Sequence, residues 1–445
     1  MPKSNSIRTS AGFIVLMLAF FVTPAILGQE VSDTIKIRTR VVFMDALVKD
    51  KRTGTPISDL KPENFELFDD GKPRTISYFT REGQARKPLA LVLILDLRSD
   101  GAGRFLKREE VRVSILDELA KLPPGDEVAV LAINQNSVDD KTTTIRDGHA
   151  IWLCEFTRDR AQLERGLARI PALVADPPKQ VKDETAKNES DDSKKEARGQ
   201  VTISDGKDGE TQATEAKPKD NDVLETETIK AKNGAVITRT TRKDGSINVR
   251  RVSANGNVDI DLGNYYDMAS ATRDATHFVE EKRANSQAAI VWLSDGIAPV
   301  FKEDVAATEQ ILIRQNAIFN TLNVDMRMLY KFLLPFGQPL IGWTGISLAG
   351  SATRLAQQSG GETMHVARVK DYGTGLARLI GNLNARYSLG FTLAEDERDD
   401  GRMHELTVRV KAVDGKGKER RLDVSSRRGY YMPKTETAAA TGPGK

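Results

Sequence analysis

Two aspartate-bearing turns lie far apart in this chain, each at the end of a short apolar run. Leu91-Val92-Leu93-Ile94-Leu95 leads into Asp96-Leu97-Arg98-Ser99-Asp100, and Ala289-Ile290-Val291-Trp292-Leu293 leads into Ser294-Asp295-Gly296. Carboxylates and hydroxyls brought together can coordinate a hard dication such as Mg2+, or accept hydrogen bonds from a guanidinium. An apolar, largely branched run of this length reads as a strand buried on both faces, which means a parallel sheet covered by helices. In such sheets ligands bind beyond the carboxyl ends of the strands. Both aspartates fall where a site would be. The candidate ligand-contacting residues are Asp96, Arg98, Ser99, Asp100, Ser294 and Asp295.

Other chemistry has less support. The four histidines, His149, His277, His365 and His404, show no metal-ligand spacing. The one cysteine, Cys154, excludes an internal disulfide framework and any multi-cysteine metal site. It sits in the apolar-rich run 151–156 and reads as a buried, inert thiol. Gly101-Ala102-Gly103 follows a strand and opens a helix, but position 106 is Leu106, so the dinucleotide fingerprint fails. The chain has neither a Gly-Lys-Ser/Thr phosphate loop nor a Gly-x-Ser-x-Gly elbow. No enzyme activity is expected.

The elements that must position the two turns follow from periodicity. Residues 35–86 form an N-terminal β segment. In it Ile35, Ile37, Thr39, Val41 and Phe43 share one face of a strand, and Asp69-Asp70-Gly71-Lys72 marks a hairpin. From 87 to 386 strands alternate with helices: strands at 89–96, 128–133 and 151–156, and helices at 104–122 and 159–173. Further on come a helix at 266–282, a strand at 288–294, a helix at 304–322, a strand at 324–329, and helices at 347–358 and 372–386. The expected fold class is α/β, a doubly wound mainly parallel sheet with helices on both faces. Residues 387–432 revert to strands as a C-terminal β segment, and 433–445 reads as a disordered tail.

An insertion interrupts the α/β pattern at 176–262. Residues 176–222 are charged and small residues with almost no aromatic or branched apolar side chains, the composition of disorder. In 223–262, Asn233-Gly234, Asp244-Gly245 and Asn255-Gly256 separate short alternating segments. That pattern reads as a β-meander flap, with a flexible polar loop as the alternative.

Composition narrows the partners. The 445 residues carry 66 Lys plus Arg against 63 Asp plus Glu, which makes no electrostatic case for nucleic acid. Residues 1–28 resemble a secretory signal: Lys3 and Arg8, an apolar core from Ala11 to Val22, then Pro24 and Gly28. An uncleaved membrane anchor is the competing reading. Either way the expected location is secreted, or periplasmic and cell envelope.

Four stretches together resemble a known family. They are Asp59-Leu60 with Phe65–Lys72, then Leu91–Asp100, then Leu355–Gly361, and last Tyr387–Phe391 with Arg428–Tyr431. In order and spacing the chain is similar to von Willebrand factor A domain proteins, and more narrowly to the VWFA-related acidobacterial group. The resemblance implies a vWA/Rossmann-like fold and a metal-ion-dependent adhesion site. That site uses Asp-x-Ser-x-Ser after the first strand, a threonine on a later loop and an aspartate after the fourth strand. Asp96 matches the first aspartate and Asp295 the last, but Arg98 and Asp100 replace the serines. No threonine stands near Gly263-Asn264-Tyr265-Tyr266.

The implied site is therefore degenerate, with Asp96, Asp100 and Asp295 as metal candidates and either no cofactor or Mg2+. A guanidinium beside a dication is repelled, since even two unit charges about 4 Å apart interact by about 4 kcal/mol at an effective dielectric of 20. Arg98 can instead pair with Asp96, Asp100 or Asp295 and take the electrostatic role of the metal. The rival keeps the cation on the three aspartates and turns Arg98 to solvent. The implied function is a non-enzymatic adhesion module that binds a protein or cell-surface ligand. The alternatives are a structural scaffold with an inert site and a divalent-metal-dependent hydrolase.

Overall fold

The computed structural model describes residues 40–81, 87–98, 101–134, 137–138, 145–146, 148–174, 223–230, 234–242, 247–262, 266–298, 300–324, 346–347, 350–394, 397 and 400–432. The expected export signal 1–28, the polar stretch 176–222, the tail 433–445 and the site candidates Ser99 and Asp100 lie outside the described residues.

In chain order come β1 (Val41–Asp50), β2 (Phe65–Asp69), β3 (Lys72–Arg74) and β4 (Tyr78–Thr80). Val42, Met44, Ala46 and Val48 of β1 are buried, whereas Phe43 is exposed. The face expected from Val41 and Phe43 is thus the less covered one, although Leu47 on it is fully buried. The core takes the even-numbered residues, because successive side chains of a strand point to opposite sides. Asp70 and Gly71, with φ of 48° and 78°, turn β2 into β3, the left-handed pair that a two-residue hairpin turn demands.

Next come β5 (Leu89–Asp96), α1 (Gly103–Leu106), α2 (Glu109–Leu119), β6 (Glu127–Asn134), β7 (Ser137–Val138), β8 (Ile145–Arg146), β9 (His149–Thr157), α3 (Arg160–Ala168) and α4 (Ile170–Leu173). A four-stranded meander follows: β10 (Val223–Lys230), β11 (Val236–Arg242), β12 (Ile247–Val252) and β13 (Val258–Leu262). Then come α5 (Met268–Arg283), β14 (Gln287–Ser294), β15 (Val300–Phe301), α6 (Lys302–Arg314), β16 (Ile318–Val324), β17 (Ile346–Ser347), α7 (Ser351–Ser359), β18 (Thr363–Val366) and α8 (Tyr372–Asn384). The chain closes with β19 (Tyr387–Thr392), β20 (Met403–Val410), β21 (Leu422–Ser426) and β22 (Gly429–Tyr431).

The expected and observed elements differ most at one boundary. The helix read as 304–322 stops at Arg314, and Ile318–Val324 is strand. Asn316 adopts φ 50°, a left-handed residue that ends the helix. The strand expected at 324–329 reduces to Val324, and 325–329 lie outside the described residues.

The six-stranded sheet runs β18-β16-β14-β5-β6-β9. Neighbours from β18 to β6 are parallel, and β9 pairs antiparallel with β6. Every residue of β5 is buried. Leu91, Leu93 and Leu95 meet Val111, Ile115, Leu163, Leu376 and Leu379 on one face. Val92 and Ile94 meet Met268, Ala271, Ala275, Val305 and Leu355 on the other. Helix α5 starts cleanly because the Asp267 carboxylate accepts from the Ser270 N–H at 2.8 Å, a standard N-cap.

The other sheets correct the expected fold class. Only five of the twenty-two described strands pair in parallel. The N- and C-terminal strands are not flanking segments. They interleave into two antiparallel sheets, β21-β1-β19-β4 and β22-β20-β2-β3. These share one core of Met44, Val48, Leu67, Tyr387, Leu389, Phe391, Leu406 and Tyr430, the arrangement of a sandwich. The meander is antiparallel too. The chain is a β-rich assembly of mostly antiparallel sheets plus one mixed sheet, not a doubly wound α/β protein of the vWA/Rossmann-like type. The expectation failed because buried apolar runs dominate the sequence signal, while the half-buried strands that make up most of the sheets announce neither their partners nor their direction.

The meander buries Ala235, Ile237 and Val249 and is seated by two arginines. Arg239 donates to Ser270 Oγ on α5, and Arg251 lies 3.8 Å from the Glu303 carboxylate on α6. Both guanidinium-bearing side chains are largely buried.

Candidate functional site

Strands β5 and β14 are parallel neighbours with Leu95 opposite Leu293, so their ends deliver Asp96 and Ser294 to the same level. Asp295 comes one residue later. Arg98 turns back over them. Its Nε donates to both Asp96 oxygens at 3.1 and 3.2 Å. Its Nη2 donates to Asp96 Oδ2 at 2.9 Å, Asp295 Oδ1 at 2.8 Å and the Ile297 carbonyl at 2.9 Å. Ser294 Oγ donates to Asp96 Oδ2 at 2.9 Å. The backbone N–H of Ile297 donates to Asp295 Oδ1 at 3.0 Å. Tyr372 at the start of α8 reaches the Ser294 carbonyl at 3.4 Å.

The cluster is closed. Asp96 and Ser294 are fully buried, Asp295 is 4 % exposed and Arg98 7 %. Gly101 seals it: a Cβ there would stand 2.8 Å from Asp295 Oδ2 and 3.1 Å from Arg98 Nη2. The run Gly101-Ala102-Gly103, which reads as an ordinary loop in the sequence, is thus a close-packed lid on the cluster. Burial pushes the Asp96 carboxyl upward, the Arg98 guanidinium opposes that rise, and the nearby Asp295 charge adds to it. Burying charges is costly unless geometry and hydrogen bonding are good. Here one guanidinium grips both oxygens of one carboxylate and one oxygen of the other.

Of the sequence candidates, the fold brings together Asp96, Arg98, Ser294 and Asp295. Asp100 and Ser99 lie outside the described residues, as do Gly263, Asn264 and Tyr265 of the loop searched for a threonine. The arrangement does not suit Mg2+. That ion demands near-octahedral oxygen ligands, and Arg98 Nη2 stands between the two carboxylates where a shared cation would sit. Sequence reasoning missed Ile297, Tyr372 and Gly101. Only the tight turn signalled by Gly296 hinted that backbone groups would approach Asp295.

Comparison with known proteins adds little. No family model matches the chain, and no curated protein matches it. Among solved structures, the pilus adhesin SpaC from Lactobacillus rhamnosus GG in its open conformation matches 85 % of this chain and 49 % of its own length. The identity is 9 % and the TM-score 0.28. A second crystal form of that adhesin matches 84 % of this chain and 50 % of its own, again at 9 % and 0.28. The chain spans about half the length of these adhesin chains. A likeness at that score carries no argument.

Among the described residues no helix is long and apolar enough to cross a membrane.

Proposed function

We propose that this chain is a non-enzymatic binding module of the adhesion type, exported to the cell surface or its surroundings, that engages a protein or cell-surface ligand without a metal ion. One observation carries the metal-free part of the reading: the Arg98 guanidinium bridges the carboxylates at the ends of two neighbouring parallel strands. A bridged, buried pair of carboxylates is unsuited to general acid–base work, which needs a group within reach of substrate. It is equally unsuited to holding the cation of a metal-dependent adhesion site. Arg98 supplies the positive charge instead, and it fixes the loops at the strand ends, where ligands of such sheets bind. The adhesion class itself comes from the resemblance of the four sequence stretches.

The test is bead adhesion. Beads coated with the protein are scored against bacterial cells and immobilised extracellular proteins, with and without EDTA, beside a hydrolase screen with Mg2+, Mn2+ and Zn2+. The expected result is saturable adhesion indifferent to EDTA, with no turnover. Adhesion abolished by EDTA, or hydrolysis in the screen, overturns the reading. The full burial of Asp96 and Ser294 favours a second reading, a scaffold whose strand-end cluster is inert. Adhesion lost on removal of 223–262 but intact in Arg98→Ala would select it.

A further inference from the structure

A second polar cluster lies in the sandwich, away from the six-stranded sheet. Asp69 ends β2, and Asp70 occupies the turn that follows. Strand β20 pairs with β2 and brings His404 against that turn from the far end of the sequence. His404 Nδ1 is 3.0 Å from Asp70 Oδ2 and 3.9 Å from Asp69 Oδ1. These three ligand atoms all lie within 4.8 Å of one another. Asp69 is 2 % exposed, and its Oδ1 has no hydrogen-bond partner among the described residues. Its Oδ2 is fully engaged, by Arg74 Nη2 at 2.7 Å and the Tyr430 hydroxyl at 3.2 Å. A buried carboxylate oxygen aimed at an imidazole with nothing bound to it is costly, and a cation is the partner that would repay it.

We propose that Asp69, Asp70 and His404 form a binding site for a divalent transition-metal ion of the Zn2+ class. Atoms that share one such ion at 2.0–2.2 Å stand about 3–3.5 Å apart, so separations of 3.0 and 3.9 Å need only a small closure. One imidazole with two carboxylates suits zinc better than calcium or magnesium, which take oxygen alone. The imidazole is already oriented. His404 Nε2 stands 3.3 Å from Asp400 Oδ1, which leaves Nδ1 to the metal, the carboxylate–histidine–metal pattern. The ring stacks on its cross-strand partner Tyr430 at 5.1 Å between centroids. Asp69 and Asp70 pair with the guanidinia of Arg74 and Arg402, and Asp400 pairs with Arg402 and His404. Arg402 donates to Asp70 Oδ2 at 3.0 Å, and its side chain is 61 % exposed, so it can swing aside when the ion enters.

Titration calorimetry of the chelator-treated full chain with ZnCl2 tests the site, beside Asp70→Asn and His404→Gln. Asparagine tolerates the left-handed backbone that Asp70 adopts at φ 48°, and its Oδ1 can still accept from the Glu405 N–H, so this variant should keep the fold. Thermal denaturation of both variants without metal checks that they do. The expected result is one-to-one Zn2+ binding at micromolar affinity or tighter, weakened at least tenfold in each variant. Asp400→Asn should weaken it less, as a residue that only positions the imidazole. The proposal falls if no stoichiometric Zn2+ binding is seen. It falls equally if Asp70→Asn and His404→Gln bind as tightly as the parent, which would assign the metal to other histidines. Binding of Ca2+ that ignores His404→Gln also overturns it.

Discussion

Arg98 is the residue on which the strand-end cluster depends. Removing a partner from a buried ion pair leaves an uncompensated charge, which costs about 3–5 kcal/mol. Arg98→Ala should therefore lower stability by about that amount in urea denaturation, since it strands both Asp96 and Asp295. A loss under about 1 kcal/mol would mean the guanidinium is not holding them. Arg98→Ser should differ in kind: it restores a hydroxyl between two carboxylates, so added Mg2+ should raise its melting temperature while the parent stays unmoved. A parent protein stabilised by Mg2+ would contradict the role given to Arg98. Cys154 allows a pH prediction. Burial pushes its thiol up to about 11, so alkylation by iodoacetamide near neutral pH should be much slower than for a free thiol, whose pKa is about 8.5. Its folded value lies above the unfolded one, so the folded state holds the proton more tightly. Stability is then lost as pH climbs through the interval between the two values. Rapid labelling at pH 7.5 would show the thiol to be open.

At the scale of elements, the end of α7 joins the helical layer to the sandwich. Gly360 caps α7 at φ 80°. A Cβ there would stand 2.5 Å from the Arg427 nitrogen and 2.6 Å from the Ser426 carbonyl carbon, both rigid backbone. Arg386 Nη2 donates to the Gly360 carbonyl at 2.7 Å, which ties the start of β19 to the same point. Gly417 has a similar φ, 75°, with nothing within 4 Å of a Cβ. Gly417→Ala should thus cost only the left-handed strain of about 1–2 kcal/mol, and Gly360→Ala clearly more. Thermal denaturation of the pair separates strain from contact. Equal losses would show that the α7 end is not closely packed against the 426–427 backbone.

For the whole molecule, the sandwich is built from the two ends of the described chain. Strand β1 lies between β19 and β21, and β2 lies between β20 and β3. Neither end can bury its apolar face without the other. Deleting 41–81 should expose Tyr387, Leu389 and Phe391, each now almost fully buried. Hydrogen exchange should then show the β19 and β20 amides losing protection to near that of free chain, while β5 and β14 keep theirs. Retained protection in β19 would show that the C-terminal strands fold alone. Coupled closure of this kind is slow to form, because it requires contacts between distant parts of the sequence.

Local structure was legible from local signals. Apolar runs that stop at Asp96 and Asp295 determined two buried strand ends, Asp70-Gly71 determined a turn, and Gly360 determined the end of a helix. The candidate cluster was legible in part, as the residues Asp96, Arg98, Ser294 and Asp295, because short-range spacing places polar groups just beyond strand ends. The direction in which Arg98 turns was not, since a guanidinium on a flexible stem goes wherever buried carboxylates converge. Pairing was not legible either. Period-two alternation is the same in parallel and antiparallel ladders, so the partnership of β1 with β19 and β21 was decided by the shared core of the sandwich. The meeting of His404 with Asp69 and Asp70 likewise exists only once β20 lies beside β2. A sequence specifies which face of an element is apolar; which distant face covers it depends on how the whole chain closes its core.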